Sequence, residues 1–199
     1  MSAPLIVLVG PMGSGKSTVG ELLAGLLDVE FRDTDADIVA AQGREIADIF
    51  VDEGEAYFRE LESAAVRAAL AEHTGVLSLG GGAILDEGTR ELLAGLPVAY
   101  LSMDVDEAVR RVGLNTARPL LAVNPRRRWR ELMDERRHLY TEVARVVVAT
   151  DDRTPDEVAR AVLDALELKT VIPGDDTPDP RQETASSGGQ PPDPRQEKK

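Results

Sequence analysis

Cysteine is absent from the 199 residues of this chain, and basic residues, aromatic residues and long apolar runs are all scarce. Without thiols, the chain forms neither a disulfide framework nor a thiolate metal site. The formal net charge of −13 opposes binding to a nucleic acid or to an anionic membrane surface. No apolar stretch reaches the roughly 18 residues that a membrane-spanning helix needs. We therefore expect no nucleic-acid and no membrane partner, and any anion site must be built locally.

The first apolar run is short and continues directly into a glycine-rich motif. Residues 7–9 are Val-Leu-Val, no basic segment precedes them, and Gly10 follows at once. This arrangement is not typical of a secretory signal peptide, and the lack of cysteine fits a reducing compartment. We therefore expect a cytoplasmic protein.

Five apolar runs alternate with segments of helical periodicity along the first 169 residues. The runs are residues 5–9, 29–32, 76–79, 98–101 and 146–149. Apolar strands separated by amphipathic helices predict an α/β fold with a parallel sheet covered by helices on both faces. The last helix is expected to begin after Thr154, with Pro155 at its first position and Glu157 completing a capping box.

The composition changes after about residue 170, where Pro, Asp, Gln, Gly and Ser dominate. The sequence Pro-Asp-Pro-Arg-Gln-Glu occurs at 178–183 and again at 192–197. We therefore predict one folded domain at 1–169 and a disordered low-complexity tail at 170–199. The repeated segment is either a docking motif or part of a solvating tail without a partner.

A complete phosphate-binding loop lies between the first apolar run and the first helical segment. Residues 10–17 read Gly-Pro-Met-Gly-Ser-Gly-Lys-Ser and match the pattern G-x-x-x-x-G-K-[ST]. Its glycines let several backbone N–H groups point at one phosphate, and the helix adds the positive end of its dipole. We expect Lys16 to be catalytic at the β- and γ-phosphates and Ser17 to ligate Mg²⁺. The residues expected to bind ATP here are Gly13, Ser14, Gly15, Lys16, Ser17 and Thr18.

Two carboxylates, Asp33 and Asp35, follow the second predicted strand. If the extended geometry persists, both point to the same side at the carboxyl ends of the strands, where ligands bind. One can then hold the water shell of a metal while the other accepts a proton or hydrogen bond from a substrate hydroxyl. The third strand lacks the terminal Asp of a usual Walker B motif, which favours Asp33 as the metal-associated group. The alternative is that one of the two merely caps the next helix.

Arg59 and a glycine triplet are candidates for the second substrate. Arg59 has Glu62 three residues on. Arg59 either forms a surface ion pair with Glu62 that stabilises the helix by a few tenths of a kcal/mol, or it binds a carboxylate and is held in place by Glu62. Residues 80–82, all Gly, directly follow the third strand. A triplet of this kind indicates close approach of a ligand to the backbone, or else a simple tight turn.

The segment from Arg111 to Arg137 is the most basic part of the chain. Residues 113–125 contain Gly, Asn and two Pro, and we expect them to form a mobile lid between helices. Phosphoryl transfer needs positive charge on the transferred group and exclusion of water, and a lid carrying Arg118 would supply both. Three further basic residues are interpreted as a solvated helix face: Arg126, Arg127 and Arg128.

In combination these motifs resemble the shikimate kinases over about residues 4–167. The matching pieces are the phosphate loop, Asp33-Thr34-Asp35, Phe58-Arg59, Gly80-Gly81-Gly82, Arg118-Pro119-Leu120-Leu121 and Arg136 ahead of Leu139-Tyr140. The resemblance implies a P-loop kinase fold, with a five-stranded parallel sheet flanked by helices and a lid. It also implies transfer of the ATP γ-phosphoryl group to the 3-hydroxyl of shikimate, a step of aromatic amino-acid biosynthesis.

For the second substrate, the resemblance implies that Asp35 holds the ring hydroxyls and is catalytic, either as a base or by orienting the reacting hydroxyl. Arg59 and Arg136 would bind the carboxylate, and Gly81 would contact the substrate through its backbone. The implied substrate site is Asp35, Arg59, Gly80, Gly81, Gly82 and Arg136.

For the nucleotide, the resemblance implies that Arg118 caps the phosphates as a catalytic group and that Arg111, with Arg153 and Pro155, flanks the adenine. Mg²⁺ would accompany ATP. The implied partners are two small molecules, ATP and shikimate, and we expect a monomer.

Two other functions fit the phosphate loop. The first is a kinase of a different hydroxy acid, such as gluconate, although paired Arg and three Gly favour a compact ring acid. The second is a nucleotide sensor that signals through the tail and transfers no phosphoryl group.

Overall fold

The structure is a computed structural model that describes residues 3–113 and 125–170. Five strands form one sheet in the order β2-β3-β1-β4-β5, and every neighbouring pair is parallel. The strands are β1 (Ile6–Val9), β2 (Phe31–Asp33), β3 (Val76–Ser78), β4 (Val98–Ser102) and β5 (Val146–Ala149). The predicted parallel sheet is confirmed.

Eight helices lie between and beside the strands in the described part of the chain. They are α1 (Lys16–Leu27), α2 (Thr34–Gln42), α3 (Ile46–Asp52), α4 (Gly54–Glu72), α5 (Glu87–Leu93), α6 (Val105–Gly113), α7 (Pro125–Val143) and α8 (Pro155–Ala165). The predicted start of α8 is confirmed, because the Thr154 hydroxyl accepts the Glu157 N–H and the Glu157 carboxylate accepts the Thr154 N–H. None of the described helices is long and apolar enough to cross a membrane.

Each face of the sheet has its own apolar core. Residues 7, 9, 77 and 100 pack against α4, α5 and α7 on one face. Residues 6, 8, 76, 99 and 101 pack against α1 and α8 on the other. Both faces are therefore covered, as the apolar strands predict. A third, smaller cluster of Ile38, Ile49 and Phe58 holds α2, α3 and α4 together.

The extended geometry does not persist beyond Asp33, which corrects the prediction for the two carboxylates. Asp33 is the last residue of β2, with φ −124° and ψ 124°, and α2 begins at Thr34. The Asp33 side chain accepts the N–H of Asp35 at 2.9 Å and so caps α2. Capping is the favoured use of Asp at this position, and Asp35 consequently projects from the first turn of a helix.

The predicted lid at 113–125 lies outside the described residues, except that α6 ends at Gly113 and α7 begins at Pro125. The predicted tail lies outside them except for residue 170. The solvated helix face is confirmed, because Arg126, Arg127 and Arg128 are exposed and pair with Asp106 or Glu131.

Helix α1 lies very close to β2, and a glycine makes this approach possible. A Cβ at Gly20 would overlap the ring of Phe31. The close approach places the first turn of α1 beside the end of β2. Gly25 lies in the same helix, and a Cβ there would meet nothing within 4 Å.

We expect Gly20→Ala to lower the free energy of unfolding by about 1–3 kcal/mol, because the new methyl group displaces a packed ring. Gly25→Ala is the matched control, and it should raise the free energy of unfolding by about 0.5–1 kcal/mol by removing a helical glycine. Urea denaturation of both variants measures the difference. Equal effects of the two substitutions would contradict the packing argument.

Candidate active site

The phosphate loop lies at the carboxyl end of β1, and α1 begins inside it at Lys16. Gly13 and Gly15 have φ of 84° and 86°, a region that favours glycine. Gly10 is required by space, since a Cβ there would lie 2.5 Å from the carbonyl oxygen of Leu101. The Lys16 ammonium donates to the carbonyl oxygens of Gly10 at 2.9 Å and Pro11 at 3.2 Å. Its positive charge is therefore held within the loop.

The hydroxyl of Ser17 and the carboxylate of Asp33 meet beside this loop. Ser17 Oγ donates to Asp33 Oδ2 at 2.8 Å. Mg²⁺ prefers oxygen ligands and keeps several waters, so one or two protein groups suffice for it beside substrate phosphates. Among the described residues, no group of three or more Asp, Glu or His forms a cage for a metal. This pair of oxygen donors fits a magnesium ion bound mainly through a nucleotide.

The second half of the site is centred on Glu62, which is only 3% exposed. Glu62 accepts a hydrogen bond from Arg59 at 2.6 Å. Burial raises the pKa of Glu62, with a further contribution from the charge of Asp35, while the charges of Arg59 and Arg136 oppose the rise. Charged side chains from three separate parts of the chain, at Asp35, Arg59 and Arg136, therefore lie within interaction range of Glu62.

Arg59 is held on two sides by carboxylates of its own helix. Its NH1 donates to Glu62, and its NH2 donates to Glu55 at 2.8 Å. Burial lowers the pKa of Arg59, but the negative charges and hydrogen bonds of Glu62 and Glu55 outweigh burial and raise it above the usual value. Arg59 is thus more than a surface pair, because its partner Glu62 is buried.

The glycine segment (Gly80, Gly81 and Gly82) is crowded by these side chains. A Cβ at Gly80 would lie 2.5 Å from Asp35 Oδ1 and 2.6 Å from Glu62 Oε1. A Cβ at Gly82 would overlap the guanidinium of Arg59. Close approach of side chains therefore explains both glycines, and the φ of −103° at Gly82 shows that no left-handed turn is required there.

The middle glycine lies between the two halves of the site. A Cβ at Gly81 would be 3.4 Å from the backbone nitrogen of Met12 in the phosphate loop. On the other side, the carbonyl oxygen of Gly81 accepts a hydrogen bond from Tyr140 at 2.5 Å. The backbone of the glycine segment thus lies between the phosphate loop and the charged cluster of Asp35, Arg59 and Glu62.

Arg136 reaches this region from α7. Its Nε atom is buried and has no hydrogen-bond partner among the described residues. A buried donor without an acceptor is costly. This N–H is therefore available to an acceptor supplied by a ligand.

A third group of residues lies at the carboxyl end of β5. Arg111 of α6 donates from NH2 to the carbonyl oxygen of Thr150 at 2.9 Å and from Nε to Glu107 at 2.5 Å. Arg153 is exposed in the connection that follows, and Pro155 is the first residue of α8. Arg111 is therefore fixed at the start of the connection that carries the other two. Arg118 lies outside the described residues.

Sequence reasoning did not assign Tyr140, Thr34 or Glu107 to the site. Thr34 Oγ1 accepts the N–H of Gly80 at 3.1 Å, and Glu107 orients Arg111. The signal for Tyr140 was its spacing, because residues four apart share one face of a helix and Arg136 precedes it by four. The signal for Glu107 was the same spacing ahead of Arg111.

Comparison with known proteins identifies relatives of this chain. The family model for shikimate kinase matches residues 12–167. A shikimate kinase of Streptomyces coelicolor is 75% identical over 169 residues, which cover 85% of this chain and 99% of that protein. One of Salinispora arenicola is 60% identical over 157 residues, which cover 79% of this chain and 94% of that protein.

Solved structures give the same result. The shikimate kinase from Acinetobacter baumannii in complex with shikimate matches with a TM-score of 0.79 and 39% identity, covering 83% of this chain and 93% of that chain. A shikimate kinase from Bacteroides thetaiotaomicron matches with a TM-score of 0.74 and 27% identity, covering 84% of this chain and 100% of that chain. The phosphate loop, the charged cluster and these relatives lead to one conclusion: the chain belongs to the shikimate kinase family.

Proposed function

We propose that this chain transfers the γ-phosphoryl group of ATP to the 3-hydroxyl of shikimate, giving shikimate 3-phosphate and ADP. The observation that carries the proposal is the glycine segment, which has the phosphate loop on one side and the Asp35–Glu62–Arg59 cluster on the other. A phosphorylated nucleotide and a hydroxylated carboxylic acid would meet there. The relative of known structure that binds shikimate supports this assignment of the second substrate.

The nucleotide is bound by the phosphate loop and by the end of β5. Residues 13–18 surround the phosphates with backbone N–H groups, and Lys16 exchanges its carbonyl acceptors for phosphate oxygens. Arg111, with Arg153 and Pro155, flanks the adenine, and its bond to Thr150 supports that placement. We further propose that Arg118, which lies outside the described residues, caps the phosphates.

Ser17 and Asp33 would hold Mg²⁺, and the hydrogen bond of 2.8 Å that brings their side-chain oxygens together supports this pairing. When bound, the ion neutralises negative charge that develops on the β- and γ-phosphate oxygens. Asp33 also caps α2, so the same carboxylate fixes the position of Asp35 relative to the metal site.

Arg59 and Arg136 bind the carboxylate of shikimate. The buried Nε of Arg136 supports this role because it has no acceptor among the described residues. Asp35 holds the ring hydroxyls and orients the reacting hydroxyl or accepts its proton. The hydroxyl oxygen then forms the new bond to the γ-phosphorus, the bond from that phosphorus to the bridging oxygen breaks, and ADP leaves. The transition state is loose, so positioning and charge neutralisation supply most of the rate.

We also propose a cytoplasmic location, which the lack of cysteine fits, and a monomeric state. Every residue of the proposed site lies at or before Pro155. We therefore assign the tail at 170–199 no part in catalysis.

Purified full-length protein is expected to release ADP in a saturable manner when it is offered ATP, Mg²⁺ and shikimate, and mass spectrometry should detect shikimate 3-phosphate. Gluconate and other open-chain sugar acids should leave ADP release at background, because the paired Arg and the crowded glycine segment suit a compact acid. Faster turnover of gluconate than of shikimate would overturn the proposal.

A chain truncated after residue 170 is the control for the domain division. It should show the same dependence on shikimate as the full chain. ATP binding without turnover in both proteins would instead favour the nucleotide sensor.

Arg59→Ala should raise the KM for shikimate about 30- to 150-fold, which corresponds to the loss of a charge-assisted hydrogen bond of about 2–3 kcal/mol. Arg67→Ala is the matched control, because Arg67 is an exposed residue of the same helix that donates to Ser63. It should leave that KM unchanged within about twofold. Since Arg59→Ala also leaves Glu62 buried without its partner, thermal unfolding must first show that the variant is folded. Similar KM values for the two variants would exclude Arg59 as the carboxylate ligand.

Asp33→Asn should raise the Mg²⁺ concentration that gives half-maximal activity by about 10- to 100-fold, because an amide keeps the capping oxygen but loses the negative charge. A magnesium titration at saturating ATP and shikimate measures this. Asp37→Asn is the matched control, because Asp37 lies in α2, which Asp33 caps, and pairs with Arg32 at 2.7 Å. The assignment fails if both variants show the magnesium dependence of the unmodified chain.

A further inference from the structure

Tyr140 is a buried polar residue that the proposed chemistry does not use. It is 1% exposed, and its ring stacks on that of Tyr100 with the centroids 4.9 Å apart and the planes 16° apart. Its hydroxyl donates to the carbonyl oxygen of Gly81 at 2.5 Å. The stack fixes the ring and the hydrogen bond fixes the hydroxyl, so Tyr140 has one defined position.

The bond to Tyr140 fixes the peptide plane between Gly81 and Gly82. The described residues contain no cis peptide, so the carbonyl of Gly81 and the N–H of Gly82 point in opposite directions within one rigid plane. Glycine otherwise rotates freely about its backbone bonds. On the preceding side, the N–H of Gly80 is held by Thr34. The glycine segment is therefore clamped at both ends, by α2 and by α7.

The positions of both proposed carboxylate ligands, Arg59 and Arg136, depend on the hydrogen bond from Tyr140 to Gly81. The guanidinium of Arg59 lies against the α-carbon of Gly82. Arg136 precedes Tyr140 by four residues in α7 and lies on the same face of that helix. The hydrogen bond from Tyr140 to Gly81 thus connects the helix that carries Arg136 to the backbone that supports Arg59.

We propose that Tyr140 is a positioning residue for the carboxylate of the second substrate, because its hydroxyl sets the location of Arg59 relative to Arg136. This inference rests on the proposed function and concerns only the half of the site that binds shikimate. It assigns Tyr140 no contact with the phosphate loop.

The surroundings of Tyr140 disfavour ionisation of its hydroxyl. Burial raises the pKa of Tyr140 above its usual value, even though Arg136 opposes the rise, while Tyr100 and Glu62 add to it. The phenol therefore stays protonated and donates to Gly81 throughout the working pH range.

Tyr140→Phe tests the inference, because it keeps the stacked ring and removes only the hydroxyl. The Kd for shikimate, measured by calorimetry without ATP, and the KM for shikimate should both rise at least about 2-fold, because the hydroxyl loses its hydrogen bond to Gly81 together with its interaction with Arg136. The KM for ATP should change by less than about twofold.

Tyr100→Phe is the matched control, because it keeps the same stack and leaves the bond from Tyr140 to Gly81 in place. For Tyr100→Phe, the Kd and KM for shikimate and the KM for ATP should all stay within about twofold of the values for the unmodified chain. All measurements are made well below the unfolding midpoint of each variant, so that they refer to folded protein.

The outcomes separate the inference from the proposed function. If the unmodified chain binds and phosphorylates shikimate but Tyr140→Phe leaves the Kd unchanged, the inference alone is wrong. An equal rise in the KM for ATP and the KM for shikimate would also overturn the inference, because a general destabilisation of the core would then explain the result. If the unmodified chain does not phosphorylate shikimate, the proposed function itself fails.

Discussion

The arrangement of the site depends on one buried carboxylate, that of Glu62. A buried charge is costly unless other charges and hydrogen bonds compensate it, and Glu62 has Arg59 in contact and Arg136 within range. Because burial raises its pKa, the contribution of Glu62 to stability is present below the usual pKa of a glutamate and is lost as the pH rises through the folded value. The ion pair with Arg59 therefore does not fully offset the cost of burying the ionised Glu62. Its consequence is positional, since it aims the guanidinium of Arg59 at the glycine segment.

The parallel sheet brings the remaining groups to this carboxylate. All strands of a parallel sheet end at the same edge, so the phosphate loop after β1, Asp33 at the end of β2 and Gly80 after β3 become neighbours. The small volume of Gly20 then lets α1 approach β2 closely enough for Ser17 to reach Asp33. A structural contact between α1 and β2 thus controls the distance between the Ser17 and Asp33 oxygens.

The sequence predicted those parts of the structure that depend on local pattern. The five strands, the phosphate loop and the cap at Thr154 each occupy a short continuous stretch, and all are confirmed. The shared orientation of Asp33 and Asp35 was wrong, and the alternative that one of them caps the next helix is confirmed for Asp33. The strand pattern alone does not show where the extended geometry ends. Contacts between residues far apart in the sequence could not be predicted: Tyr140 is 59 residues from Gly81, and Arg111 is 39 residues from Thr150. Nothing in the local sequence specifies which helix meets which loop.

The two carboxylates on Arg59 differ in a way that suits an anion-binding site in an acidic protein. The side chain of Glu55 is 60% exposed, whereas that of Glu62 is 4% exposed. An exposed ion pair contributes only about 0–1 kcal/mol, so water and a competing carboxylate displace Glu55 at little cost. Removing Glu62 from Arg59 would leave a buried charge without its partner, at a cost of about 3–5 kcal/mol. If Arg59 binds the substrate carboxylate as proposed, that carboxylate would replace Glu55 and leave Glu62 in place, so the guanidinium would keep its position while its exposed acceptor is exchanged.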